Sequence, residues 1–341
     1  MFVAVLGVLL LLAHQQARGG WAWFVRQGDP VFFAAVARAP FGGGGAFRAM
    51  GVPFEASFRY GRVGFPLVAW ALTLGRPSLV PAGLALVDLV SIAAVPALSV
   101  LLLDGYRANP LGGVATLAAP GLVLVYDRAY AEPFMLALVL LGFLCEARGR
   151  RGAAIAVFAG SILVKETAIL ALTPFVWQAA RRRDWPTLGS WAAALVPYLA
   201  WATWVRVRVG EVPFLADDHS RRDALRLPFV GMVEALRDGH ADAAIVTIIL
   251  VTTVVVGVGA AWFARAIPIA GATLAFAVLT ASAGPNTINY LGDALRILVV
   301  PQVLSIICIV WAVTSRTADM PNARAASPGP GGHRPAAPQA R

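Results

Sequence analysis

The chain has 341 residues, 59% hydrophobic and 13% charged, with a mean hydropathy of +0.72 and a formal charge of +10. That is too apolar for a soluble domain of this size, and repeated runs of about 15–25 apolar residues define a polytopic helical membrane protein. Alternating strand patterns are absent, which argues against an outer-membrane barrel; the arginines sit largely in loops and the tail, where they set topology and meet anionic lipid, so the charge does not point to nucleic acid.

Met1 to Ala13 reads as the first membrane helix, extended through Trp21-Ala22-Trp23-Phe24. Residues 26–62 form the first long polar connection. Within it, Asp29 precedes Pro30 and an apolar run. That pair suits a helix start, with Asp29 either as a plain cap or as a carboxylate held where a membrane-surface helix begins. Gly42 to Gly45 reads as a linker; no Gly-Lys-Ser/Thr follows it, as a phosphate loop would need. Val63 to Leu74 is too short for a full span, Leu79 to Leu103 is long enough and carries Asp88, and Leu111 to Val125 and Phe134 to Leu144 are short. Asp88 is an orphan acid, read as a hydrogen-bonded helix contact, with a transport role as the alternative.

Residues 152–180 form one apolar block broken by Lys165-Glu166, where Lys165 is the only lysine in the chain. Charges inside apolar stretches cost roughly 2.5–3.5 kcal/mol each on insertion scales and usually face a working site. Leu188 to Val209 is expected to span. Residues 211–242 are the second long polar connection, with Asp217-Asp218-His219 and an amphipathic helix from Phe229 to Leu236. Ala243 to Phe263, Ile267 to Ala281 and Ala294 to Val313 are expected to span. The whole reads as an all-α bundle of about nine or ten membrane helices, several of them short. It occupies residues 1–316, with outer loops near 26–62 and 211–242 and a disordered cytoplasmic tail at 317–341, rich in Pro, Ala, Gly and Arg. Cys145 and Cys308 lie far apart without CxxC spacing, and the four histidines form no HxxxH or HExxH pattern, so no disulfide and no zinc site are expected.

The arginine clusters at 148–151 and 181–183 are both assigned to the cytoplasm. The block between them is too long for one crossing and short for two, so two short tilted helices meeting at Lys165-Glu166 are predicted. Three polar groups then converge on the outer leaflet: Asp127, Arg128 and Glu132; Lys165 and Glu166; and Asn286, Asn289, Asp293 and Arg296. The same crossing count requires one early short segment, Val63 to Leu74, to lie along the membrane or to enter it only partly.

Three stretches carry a family resemblance. They are Gly28-Asp29 with the aromatic-rich helix after it and Arg59-Tyr60-Gly61-Arg62 beyond; Asp127-Arg128-Ala129-Tyr130-Ala131-Glu132-Pro133; and Val164-Lys165-Glu166-Thr167-Ala168. In this order they resemble the GT-C superfamily of polytopic glycosyltransferases, and within that fold a bacterial cell-surface-glycopolymer family. The resemblance implies a multi-pass protein of the bacterial plasma membrane with its active face extracytoplasmic. It implies transfer of a sugar from a polyprenyl-phosphate donor to a cell-envelope glycan or lipid acceptor. It also implies an acidic residue in the first outer loop, acting as general base or as metal-assisted activator, which leaves room for a divalent cation. Asp29 takes that position, with Glu55 a distant second. The sequence departs from the pattern after it, where Pro30-Val31-Phe32-Phe33 replaces Gly-Gln and paired aromatics. Arg59, Arg62, Arg128, Lys165 and Arg296 are the candidates for binding the lipid phosphate, with Glu132, Glu166 and Asp293 beside them. Structural alternatives stand next to these: a charge pair that breaks a helix for Lys165-Glu166, a helix start for Glu132-Pro133 and a helical ion pair for Asp293 and Arg296. A flippase of a lipid-linked glycan and a silent GT-C-like subunit are the rival functions; two similar halves in inverted repeat, common in transporters, are not evident.

Overall fold

The computed structural model describes residues 25, 29–43, 59–124, 130–210, 212–213, 225–239, 242–289 and 291–318. The first helix Met1–Ala13, Glu55, Asp127, Arg128, the Asp217-Asp218-His219 group and the tail beyond Ala318 lie outside the described residues, as does the side chain of Asp293. The described residues are helical, apart from turns and one isolated bridge between Leu225 and Ala283.

α1 spans Asp29–Arg38 and starts on the acid that precedes Pro30, as the capping pattern predicted. α2 is Gly64–Leu72, nine residues. At 1.5 Å per residue it reaches about 14 Å, less than half of a bilayer core. It is short, as the apolar run Val63 to Leu74 suggested. α3, Val80–Gly105, is a full apolar helix with Pro81 in its first turn and Pro96 inside it. A 3₁₀ stretch, Pro110–Ala118, then lies against α3. Gly113 makes that approach feasible, since a Cβ there would fall 2.4 Å from the Val100 nitrogen.

α4 is Glu132–Ala147 and α5 is Arg151–Val164. α4 packs between α3 and α5. At Lys165 the backbone turns extended (φ −157°, ψ 127°), a 3₁₀ run follows from Glu166 to Leu172, and α6 resumes at Thr173–Arg181. The predicted pair of short helices meeting at Lys165-Glu166 is therefore present. The expected span 188–209 is not one helix but three pieces: α7 (Trp185–Ala192), a 3₁₀ turn at Ala193–Leu195 and α8 (Val196–Val209). Pro197 lacks the N–H that would continue the ladder, so it sits in a new first turn instead.

α9 (Val230–Asp238) is the amphipathic helix expected in the second connection. α10 (Ala243–Phe263), α11 (Pro268–Ala281) and α12 (Leu291–Ala318) complete the bundle and pack on one another. Among the described residues, three helical stretches are long and apolar enough to cross a membrane: Pro77–Gly105, Ala243–Phe263 and Ala294–Ser315. α11, expected to span, has 14 residues and reaches only about 21 Å.

The core holds α3, α4, α5 and α12 together through Leu102, Leu136, Phe143, Phe158 and Leu304, all fully buried. Trp191 stacks on Phe175 with centroids 4.4 Å apart and closes α7 onto α6. The other face of α10 stays open, with Ile248, Val255 and Trp262 each more than 60% exposed. Such an apolar face suits contact with lipid chains.

Candidate active site

Charged groups from five parts of the chain meet at one end of the bundle. Asp29 opens α1, and Glu132 opens α4. Acids are favoured in a first turn, where unpaired N–H groups give a positive end. Lys165 and Glu166 occupy the break after α5. Arg59 and Arg62 come from the turn before α2, and Arg296 from the first turns of α12.

Asp29 is 5% exposed. One carboxylate oxygen accepts from Arg59, and the other accepts from Arg296 at 2.6 Å, with Arg62 3.7 Å away. Arg62 grips Glu166 in a two-pronged bond at 2.8 and 3.1 Å. Lys165 donates to Glu132 at 2.6 Å, and Arg296 lies 3.9 Å from the same oxygen. The neighbours Lys165 and Glu166 therefore do not serve as each other's partners; each reaches to a different helix. Burial alone would raise the Asp29 carboxyl, but Arg296, Arg59 and Arg62 outweigh it and hold the group well below the usual carboxylate range. Burial would likewise raise Glu166, and the charge and hydrogen bonds of Arg62 bring it down to about 2.

Aromatic residues that the sequence reading did not assign to the site support it. Arg59 lies over Phe32 at 4.6 Å, and Arg296 lies over Tyr130 at 5.4 Å. The Tyr60 hydroxyl donates to the Gly43 carbonyl at 2.8 Å, and Trp201 Nε1–H donates to the Tyr60 carbonyl at 2.6 Å. These bonds pin the turn that presents Arg59 and Arg62. The signal for them was present in the sequence, since Tyr60 and Tyr130 lie inside the charged motifs. Gly64 was a further omission. A Cβ there would sit 2.7 Å from the Val164 nitrogen, so only glycine lets α2 meet the end of α5. This contact sets Arg62 beside Glu166.

Of the predicted site residues, the structure gathers Asp29, Arg59, Arg62, Glu132, Lys165, Glu166 and Arg296. Asp88 is not hydrogen-bonded as expected: it is fully buried on α3 and neither carboxylate oxygen has a partner. Among the described residues, no three of His, Cys, Asp and Glu come together as a metal site. Asp29, Glu132 and Glu166 each hold a cation already. Among the described residues, this donor set does not fit a divalent ion. The arrangement is a largely buried ionic lattice of four cations and three carboxylates, one positive charge in excess, which suits an anionic ligand.

The fold is GT-C-like, and the chain is a membrane protein. No family model and no curated protein matches it. Two solved structures of ArnT from Cupriavidus metallidurans are similar to it. The apo state has a TM-score of 0.51 at 18% identity, covering 90% of this chain and 60% of ArnT. The state bound to undecaprenyl phosphate has a TM-score of 0.51 at 18% identity, covering 89% and 59%. The chain thus spans about three-fifths of the length of that protein. At this identity the likeness carries the fold alone.

Proposed function

We propose that the chain is a membrane glycosyltransferase that moves a sugar from a polyprenyl-phosphate donor to a cell-envelope glycan or lipid, working at the extracytoplasmic face of the bacterial plasma membrane. The observation that carries this reading is Arg296 of the last helix reaching Asp29 of α1, with Arg59 on the other carboxylate oxygen. A candidate phosphate-binding cation and a candidate base are thereby coupled in one contact. The binding of undecaprenyl phosphate by ArnT, a protein of similar fold, supports a lipid phosphate as the ligand.

In the proposed step the acceptor hydroxyl oxygen bonds to the anomeric carbon as the bond from that carbon to the phosphate oxygen breaks. The electron pair leaves on the polyprenyl phosphate, and the hydroxyl proton passes to Asp29. Arg59, Arg62, Lys165 and Arg296 stabilise the charge gathering on the leaving phosphate. With its oxygens held by guanidinium groups, Asp29 is a weak base. A donor phosphate competes for Arg59 and Arg296, and that competition raises the proton affinity of Asp29 when substrate is bound.

The test is transfer of labelled sugar by the purified chain in proteoliposomes loaded with polyprenyl-phosphate sugar. Arg296→Gln is expected to weaken donor binding and transfer together. Donor binding without any transfer in the wild type would overturn the enzyme reading in favour of a silent subunit. The transporter alternative rests on Asp88, buried without a hydrogen-bond partner inside a span. Donor crossing the bilayer without sugar transfer would favour it.

A further inference from the structure

The amphipathic helix α9 presents more apolar surface than the bundle covers. At about 100° per residue, Gly231, Ala235 and Met232 fill one sector of the helix and Leu236 and Val233 the next. Arg237, Glu234 and Asp238 occupy the remainder, with Val230 among them. The first sector is buried. The second is open: Val233 and Leu236, with Leu225, Leu227 and Phe229 leading into the helix, are each 45–76% exposed. The polar sector is paired at the surface, where Arg226 donates to Glu234 at 3.1 Å.

The placement of α9 says what covers the open sector. Met232 and Ala235 share a buried cluster with Val246 and Leu250 of α10 and Leu298 of α12. Leu250 lies about 11 Å along α10 from Ala243, so α9 rests beside the first turns of a spanning helix rather than above them. Ile245 and Ile248, on those same turns, are 55% and 66% exposed and belong to the face of α10 that suits lipid chains. The open sector of α9 continues that face at the same level. α9 is also strapped to the link between α11 and α12. The Arg226 and Phe229 N–H groups donate to the Ser282 and Ala281 carbonyls at 2.9 and 2.7 Å, and a Cβ on Gly231 would collide with the Ala283 carbonyl oxygen. The link runs through the turn Pro285–Ile288 into α12 and Arg296, so α9 and the site hang on one connected stretch.

We propose that residues 225–238 form an interfacial anchor, with the open apolar sector bedded in the upper acyl chains of the leaflet at the site end of the bundle. An apolar sector beside a polar one is the pattern of a helix lying about 5–10 Å into the boundary between headgroups and chains. The occupant is the bilayer rather than a second copy of the chain. Five half-exposed side chains fall short of the about 800 Å² per partner that a stable protein interface buries. The anchor does not depend on the reaction proposed for the site.

The experiment uses the full chain in liposomes of phosphatidylethanolamine and phosphatidylglycerol. Nitroxide labels are placed one at a time through Val233→Cys, Leu236→Cys and Asp238→Cys, with Cys145→Ser and Cys308→Ala removing the native thiols. Collision with dissolved oxygen, which partitions into lipid chains, is compared with collision with a water-soluble nickel chelate. The oxygen-to-nickel ratio is expected to be about ten-fold higher at positions 233 and 236 than at 238. Equal ratios, with nickel reaching all three positions, would place the helix in water and overturn the anchor. Exclusion of both reagents from 233 and 236 would mean that protein covers the face and would overturn the lipid occupant. If the labelled variants do not fold, the unaltered chain is irradiated with phosphatidylcholine carrying a diazirine near the top of its chains. Peptides with Ile248 and Val255 then serve as the internal standard. Labelling of residues 225–236 on a par with them is expected, and labelling of α10 without 225–236 would overturn the proposal.

Discussion

Lys165→Met tests whether the ionic lattice holds the site end of the bundle together. Lys165 and Glu132 are 7% and 3% exposed, and their contact is 2.6 Å. Methionine keeps the length and removes the charge, leaving Glu132 buried with Arg296 at 3.9 Å as its nearest remaining cation. Removing one partner of a buried pair costs about 3–5 kcal/mol, because the other charge is left uncompensated. Arg296 offsets part of that, so a loss of about 3 kcal/mol is expected. Lys165→Met with Glu132→Gln should recover most of it, since the orphaned charge goes too. The assay is reversible unfolding in mixed detergent micelles, run as a double-mutant cycle. A single-variant loss below about 1 kcal/mol, or losses that simply add, would refute the reasoning.

Other consequences can be measured with the same preparation. Glu166 falls from an ordinary 4.5 to about 2 on folding, so its contribution to stability is present above pH 4.5 and is lost as pH drops toward 2. Glu166→Gln should flatten that acid limb, and an unchanged slope would contradict the Arg62 pairing. Gly64→Ala forces a Cβ onto the Val164 backbone and should destabilise by about 1–3 kcal/mol while reducing sugar transfer; a silent substitution would mean that α2 is not fixed against α5. Asp88→Leu should stabilise by about 1–3 kcal/mol with transfer unchanged, because the carboxyl lies buried without a partner. A net loss of stability would show that Asp88 has a role in the bundle.

Local features of the site were legible in the sequence. Asp29-Pro30 marked the start of α1, and Glu132-Pro133 marked α4 for the same reason of capping and dipole. Lys165-Glu166 in an apolar block marked the helix break. Partners were not legible. Arg296 lies 267 residues from Asp29, and periodicity carries no information about which helix ends face one another. Adjacency suggested that Lys165 pairs with Glu166, yet their side chains leave an extended backbone in different directions and reach Glu132 and Arg62. Hydropathy overstated the span at 188–209, because it reads apolar length and not the break before Pro197; at 267–281 the helix forms over the expected residues, but its 14 residues are short for a span. Gly64 was passed over for a similar reason: a glycine's need shows only when a second helix is placed against it.

The central claim is that Asp29 is the base of a sugar transfer whose leaving group is a lipid phosphate. The most direct measurement compares wild type with Asp29→Asn, reconstituted with labelled polyprenyl-phosphate sugar, reading donor binding and transfer separately. Asparagine keeps the shape and removes the proton acceptor. Donor binding is expected to be retained, with transfer lowered about 10²–10⁴-fold. Transfer at the wild-type rate by a folded Asp29→Asn protein would contradict it and leave Asp29 as the anchor of α1.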